Sequence, residues 1–341
     1  MNAPTSLRPW RLLTHPYALL FAACLMWAGN SIAGRLAAGG VSPMVLTSLR
    51  WALALVVVLA LARGHLARDR AAIAAHWPVL AGLGAVGFAV FNGLLYASLN
   101  YTSAMNVVLV QAALPAVVFG FSYLFFRTPV RAMQVVGFLV TLAGVALVVA
   151  GSGEGLSVGL GEALVMLAVV AYAAYTAGLR WRPDIHWLSA LAVMGSAAFV
   201  TTLPMLAWEG WRGAWNWPSG AGEWAVVGYA AIFPAILAQA AYMRGVDRIG
   251  ANRAGMFVNL LPVTGAVLAW GLLGEAFGWR EAVALGLGVG GIWLAERGAA
   301  PAPDIEPAPS GERVGERVGE RVGERAGERV GELVGEHPAT G

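Results

Sequence analysis

Apolar residues fill the chain from Tyr17 to Ala295 in ten runs of about twenty, separated by short polar stretches. A helix rises ~1.5 Å per residue, so ~20 residues cross a ~30 Å hydrocarbon layer. The runs predict ten spans, at 17–35, 43–62, 78–99, 103–126, 133–150, 159–179, 187–208, 224–243, 253–273 and 279–295. Their short connections favour antiparallel neighbours in a bundle. The expected fold class is therefore all-α integral membrane.

Composition agrees with this pattern. Of the 341 residues, 58% are hydrophobic and 12% charged, against about 25% charged in soluble domains. All 22 basic residues are arginine, and they segregate. With the N-terminus inside, the inner flanks hold Arg8, Arg11, Arg63, Arg68, Arg70, Arg127, Arg131, Arg180, Arg182, Arg244, Arg248, Arg253 and Arg297, while the outer flanks hold Arg35, Arg212 and Arg280. That bias places both termini in the cytoplasm. The outer loop near 209–223 is bounded by Trp208, Trp211, Trp215, Trp217 and Trp224, aromatics suited to the headgroup level. Arg8 and Arg11 before an apolar run raise the question of a signal peptide. The run is long, lacks an Ala-x-Ala site and is followed by nine more spans, so it is read as a span.

The two halves echo each other. A shift of 147 residues lays Pro115 on Pro262, Gly144 on Gly291 and Leu147 on Leu294; near the start of each half a shift of 145 lays 28–35 on 173–180. Five spans per half is an odd number, so the second half would enter the membrane from the opposite side, as in secondary transporters built from inverted repeats. The expected organisation is a cytoplasmic N-terminus at 1–16, five-helix repeats at 17–150 and 159–297, and a tail at 298–341. The tail repeats Gly-Glu-Arg-Val. A glycine every fourth residue weakens a helix by ~1 kcal/mol each time, and one small apolar residue per unit builds no core. The tail is expected to be disordered.

Other function classes lack their parts. A net charge of +3, scattered along the chain, gives no basic stripe for nucleic acid. Gly82–Gly87 and Gly286–Gly291 fit GxGxxG, but both lie inside apolar runs without the strand that a dinucleotide loop needs; the spacing from Gly286 to Gly290 suggests close helix packing instead. All five histidines fall at span ends, in loops or in the tail, and no aspartate lies in a predicted span. No metal pair or Ser-His arrangement follows, and neither enzyme activity nor a cofactor is expected. Cys24 is alone and reads as a space filler.

Polar residues inside spans carry the remaining information, because lipid offers them no partner. Beside Trp51 and Asn106, the candidates are Trp27, Asn30, Arg50, Asn92, Tyr96, Gln111, Tyr172, Tyr175, Gln239, Tyr242 and Asn259. Drawn from both halves, they are read as lining a central cavity. Aromatics would enclose a solute, amides would hydrogen-bond it, and Arg50 would either hold a carboxylate or snorkel outward. Glu162 is read as interfacial. Pro115 and Pro262 each remove a helix hydrogen bond and are expected to kink equivalent spans.

Trp27-Ala28-Gly29-Asn30 followed by Arg35, Pro43 through Arg50, and Tyr101-Thr102-Ser103-Ala104 with a later Pro115 form one block. Pro262, Leu273-Gly274-Glu275 and Gly291 form a second. In this order they resemble the EamA-type branch of the drug/metabolite transporter superfamily over 17–297. The resemblance implies a ten-helix carrier of the bacterial inner membrane that exports amino acids, other small metabolites or toxic compounds. The chain departs from the family where a Gly-Glu pair should close the fourth helix of the first half and Arg127-Thr128 stands instead. The expected partners are a small-molecule substrate and the lipid bilayer. Coupling to an ion gradient, a proton included, is left open beside facilitated movement, and the oligomeric state is left open. The alternative is a non-transporting scaffold or sensor acting through its tail.

Overall fold

A computed structural model describes residues 15–127, 131–151, 159–249 and 257–298. The expectations for 1–14 and for the tail beyond Gly298 fall outside these residues, as do those resting on Arg253.

The described chain is helical throughout. Helix α1 (Pro16–Ala37) and α2 (Pro43–Gly84) each start on a proline, which suits a first turn whose N–H has no intrahelical acceptor. A π-helical segment, Ala85–Val90, leads into α3 (Phe91–Ser98). Next come α4 (Ala104–Gln111), α5 (Leu114–Phe126), α6 (Ala132–Gly151), α7 (Leu160–Gly178) and α8 (Trp187–Trp211). Helix α9 (Ala221–Ile232) passes through a second π-helical segment, Phe233–Leu237, into α10 (Ala238–Ile249). Helices α11 (Leu261–Leu273) and α12 (Trp279–Gly298) complete the described bundle.

Among the described residues, six helical stretches are long and apolar enough to cross a membrane: Pro16–Ala37, Pro43–Ser98, Ala104–Phe125, Leu160–Trp181, Trp187–Trp211 and Ala221–Val246. Ala132–Leu147 and Leu261–Leu273 are shorter apolar helices. Large side chains such as Val56, Leu124 and Leu272 point outward. On a soluble protein they would form sticky patches; in a bilayer they are the lipid face.

Three boundaries differ from those read in the sequence. The second and third predicted spans are not separated by a loop: helix runs through 63–75, an alanine- and arginine-rich stretch of good helix formers, and breaks only at His76 (φ −123°, ψ 17°). Pro78 is the cause, since it offers no N–H to the carbonyl of Ala74 and its ring crowds that turn. The 56 residues of Pro43–Ser98 would reach ~84 Å if straight, and α2 instead packs against α3. The fourth predicted span is broken at 112–113, and the ninth has a turn at 259–260 before α11.

Helix α2 packs against α8, and α6 against α12. Both pairs are antiparallel. Asp69, far along α2, accepts from His186 N at the start of α8, while Glu209, near the end of α8, accepts from Ser42 Oγ at 2.7 Å where α2 begins. In α6, Gly137 lies beside Gly291 and Ala295, and Gly144 beside Ala284 and Leu287 of α12. The expected Gly286 to Gly290 packing seam is corrected here. Both residues face open space, and so does Gly82; the close approaches are made by Gly291, by Gly84 on the Met194 backbone and by Gly87 on Tyr175. A GxxxG spacing marks one helix face, but the partner helix lies elsewhere.

Helices α5 and α6 start and end 147 residues before α11 and α12: Leu114–Phe126 against Leu261–Leu273, and Ala132–Gly151 against Trp279–Gly298. The π-helical segments obey the same offset at their ends, Val90 and Leu237.

Candidate functional site

The expected cavity residues fall into three groups. The first is a buried polar knot joining α1, α2 and α3. Arg50 Nη1 donates to Asn30 Oδ1 at 3.2 Å, to Asn92 Oδ1, and to the Tyr96 hydroxyl at 2.9 Å. The Tyr96 hydroxyl donates to Asn30 Oδ1 at 2.7 Å, and Asn30 Nδ2 reaches Asn92 Oδ1 at 3.4 Å. Asn92 Nδ2 donates back to the Phe88 carbonyl. The i, i+4 spacing of Asn92 and Tyr96 sets both on one face of α3. All four side chains are buried, with Arg50 only 5% exposed. Arg50 therefore does not snorkel.

The second group surrounds a cavity of about 50 Å³. Its walls are Trp27, Ala28 and Ser31 of α1, Val108, Gln111, Ala112, Leu114 and Pro115 at the α4–α5 break, Val258, Asn259, Leu261 and Pro262 before and in α11, and Ile292 of α12. The two breaks are built alike. Ala113 N bonds the Val110 carbonyl at 3.0 Å, and Leu260 N bonds the Phe257 carbonyl at 3.0 Å. These are i to i−3 bonds in place of i to i−4. Two residues on in each case, Pro115 and Pro262 supply no N–H to the carbonyls of Gln111 and Val258. The expected kinks at Pro115 and Pro262 thus mark tightened turns with backbone carbonyls released beside the cavity. Ser31 is a wall residue that the sequence reading missed; its place directly after Asn30 was the available signal. The volume suits a few water molecules, against ~300–1,000 Å³ for pockets that enclose drug-sized ligands.

The third group is aromatic. Tyr172 and Tyr175 of α7 contact each other, with centroids 5.2 Å apart, and reach Phe91 and Phe88 respectively. Phe88 stacks on Trp51 at 4.9 Å, and the Arg50 guanidinium carbon lies 5.6 Å from the Trp51 ring centre. Tyr172 and Tyr175 do not line the cavity at the helix breaks. Tyr242 packs against Trp27 with ring centroids 5.3 Å apart, and Trp27 Nε1 donates to the Pro234 carbonyl at 3.2 Å. Gln239 is half-buried on α10.

Glu162 sits in the first turn of α7, at the helix end as expected, and its side chain is buried, at 3% exposure. It accepts from Thr102 Oγ1 at 2.6 Å and from Asn106 Nδ2 at 3.4 Å. Gly161 permits this, because a Cβ there would fall 2.7 Å from Thr102 Cβ. The other described carboxylates serve largely as helix caps. Glu275 accepts from the backbone N–H of Ala104 (2.9 Å) and Met105 (2.7 Å) at the start of α4. Glu209 and Asp69 cap α2 and α8 in exchange, and Glu281 accepts from Gly278 N ahead of α12. Cys24 Sγ contacts the Phe257 carbonyl at 2.7 Å, a packing role.

The chain has known relatives. The EamA-like transporter family matches the chain twice, over 15–150 and 159–296. The uncharacterized transporter YetK of Bacillus subtilis is 25% identical over 287 residues, covering 82% of this chain and 86% of its own. The uncharacterized inner membrane transporter YedA of Escherichia coli K12 is 28% identical over 298 residues, covering 85% and 93%. A solved crystal structure superposes with a TM-score of 0.60 at 24% identity, covering 82% of this chain and 96% of that one, a likeness of fold. With two matches spanning nearly all of the bundle, the chain belongs to the EamA-like transporter family of multi-pass membrane proteins.

Proposed function

We infer that the protein is a secondary carrier of the bacterial inner membrane that exports small metabolites, such as amino acids, related compounds or drugs, by alternating access. Both termini are cytoplasmic in this reading, as the arginine bias requires. The ten spans form two inverted five-helix repeats, and the antiparallel α2–α8 and α6–α12 pairs are what a two-fold axis in the membrane plane would produce.

One observation carries the reading. Two proline-broken helices, 147 residues apart in sequence, meet at a single cavity and bring Gln111 and Asn259 to it. Discontinuous helices at a repeat interface are where secondary transporters hold their solutes. The 50 Å³ cavity fits a form in which the halves have closed together, and rocking one half against the other would open it to either side.

The test is transport by full-length protein carrying Gln111→Ala or Asn259→Ala. Each should lower transport by about tenfold while membrane abundance and thermal stability stay near the parent, as loss of an uncharged hydrogen bond to a solute suggests. Parental rates in both variants would remove the break cavity from the carrier.

A further inference from the structure

A guanidinium is a permanent cation with five N–H donors in a rigid fork. At Arg50 every hydrogen bond among the described residues leaves from Nη1, and every acceptor is neutral. Nε is buried without a partner. The adjacent Trp51 Nε1 is likewise a buried donor without a partner. Ser48 Oγ is also buried without a partner and can donate or accept, whereas Arg50 Nε and Trp51 Nε1 can only donate, so their missing complement is an acceptor, and the uncompensated charge makes it an anion.

The knot is also arranged to present the guanidinium. With Nη1 loaded by Asn30, Asn92 and Tyr96, the opposite edge, Nε and Nη2, makes no hydrogen bond among the described residues. That edge matches a carboxylate in two parallel hydrogen bonds. The geometry points to Arg50 as an anion subsite of the carrier, whose Nε and Nη2 edge receives the carboxylate of the transported solute. This inference rests on the carrier reading and narrows the solutes to small carboxylates.

The experiment is thermal unfolding of the purified full-length protein in a neutral detergent at constant ionic strength. The probes are acetate and benzoate, with acetamide and benzamide as uncharged counterparts, and inorganic phosphate and chloride as other anions. Both carboxylates should raise the unfolding midpoint of the parent and the amides should not. Arg50→Gln should weaken the response by about tenfold or more, the scale of hydrogen bonds to a charged group. This variant should fold, because each acceptor keeps another partner: Asn30 Oδ1 has the Tyr96 hydroxyl, and Asn92 Oδ1 has Asn30 Nδ2. Arg50→Lys, which keeps the charge but not the fork, should also respond about tenfold more weakly, and it serves if Arg50→Gln does not purify. The inference is overturned if the parent does not respond, if amides or phosphate match the carboxylates, or if Arg50→Gln responds as the parent does. Its failure is separable from that of the carrier reading. Export of neutral or cationic solutes alone would sink the anion subsite and leave the carrier, whereas absence of any exported solute would sink the carrier.

Discussion

Arg127 and Gly274 occupy the same place in the two halves, at the C-terminal ends of α5 and α11, and both have left-handed backbone, with φ 49° and 65°. A side chain in that region costs roughly 1–2 kcal/mol, which glycine avoids. Arg127→Gly should therefore raise stability by about 1 kcal/mol, and Gly274→Ala should lower it by a similar amount; thermal unfolding in detergent measures both. The missing Gly-Glu pair was legible in the sequence as a departure, but its backbone consequence was not, because nothing local in Arg127-Thr128 announces a positive φ. The polar knot was legible as a set. Asn30, Arg50, Asn92 and Tyr96 stand out in apolar spans because lipid cannot satisfy them. Which of these residues bonded which others depended on helix rotation, and the same uncertainty left open whether Arg50 pointed in or out.

At the scale of elements, scarce carboxylates are used to cap helices. The four leading N–H groups of a helix have no intrahelical acceptor, and in a bilayer water does not replace one. Glu275 satisfies two of them on α4 from the far half of the sequence. Glu275→Ala should destabilise the protein by about 1–2 kcal/mol, and Glu275→Gln by less, read as lowered unfolding midpoints in that order. The Gly-Glu motif was visible, but its bonding partners lie about 170 residues away, beyond any local pattern. Packing shows the same division. Glycine-rich stretches in the last span suggested close approach, yet only the partner helix decides which glycine is in contact. A Cβ at Gly291 would fall 2.2 Å from Thr141 Oγ1 and 2.5 Å from the Gly137 carbonyl, whereas one at Gly286 would meet nothing within 4 Å. Gly291→Ala should cost about 1–3 kcal/mol through overpacking, with Gly286→Ala close to neutral in the same assay.

Across the whole molecule, the coincidence of helix boundaries under one offset is the deepest regularity. It places the two proline breaks at equivalent points and brings them to one cavity. The repeat was legible in the sequence from a few ordered matches, Pro115 with Pro262 above all. The long continuous helix through 63–75 was not, since arginines that mark a membrane boundary look the same in a loop and in a helix that projects past it. If the bundle alone is the carrier, removing 299–341 should leave transport within about twofold of the full chain at equal membrane abundance, a change too small to reflect loss of a binding interaction. Transport that fails only when the tail is absent would instead favour a tail-dependent role. The most direct test of the carrier itself compares metabolites released by cells that lack the protein with those released by cells that overproduce it. The account requires a small solute, a carboxylate if Arg50 acts as inferred, whose release falls in the first and rises in the second. No reciprocal change across a broad panel, with the overproduced protein confirmed folded in the membrane, would contradict it.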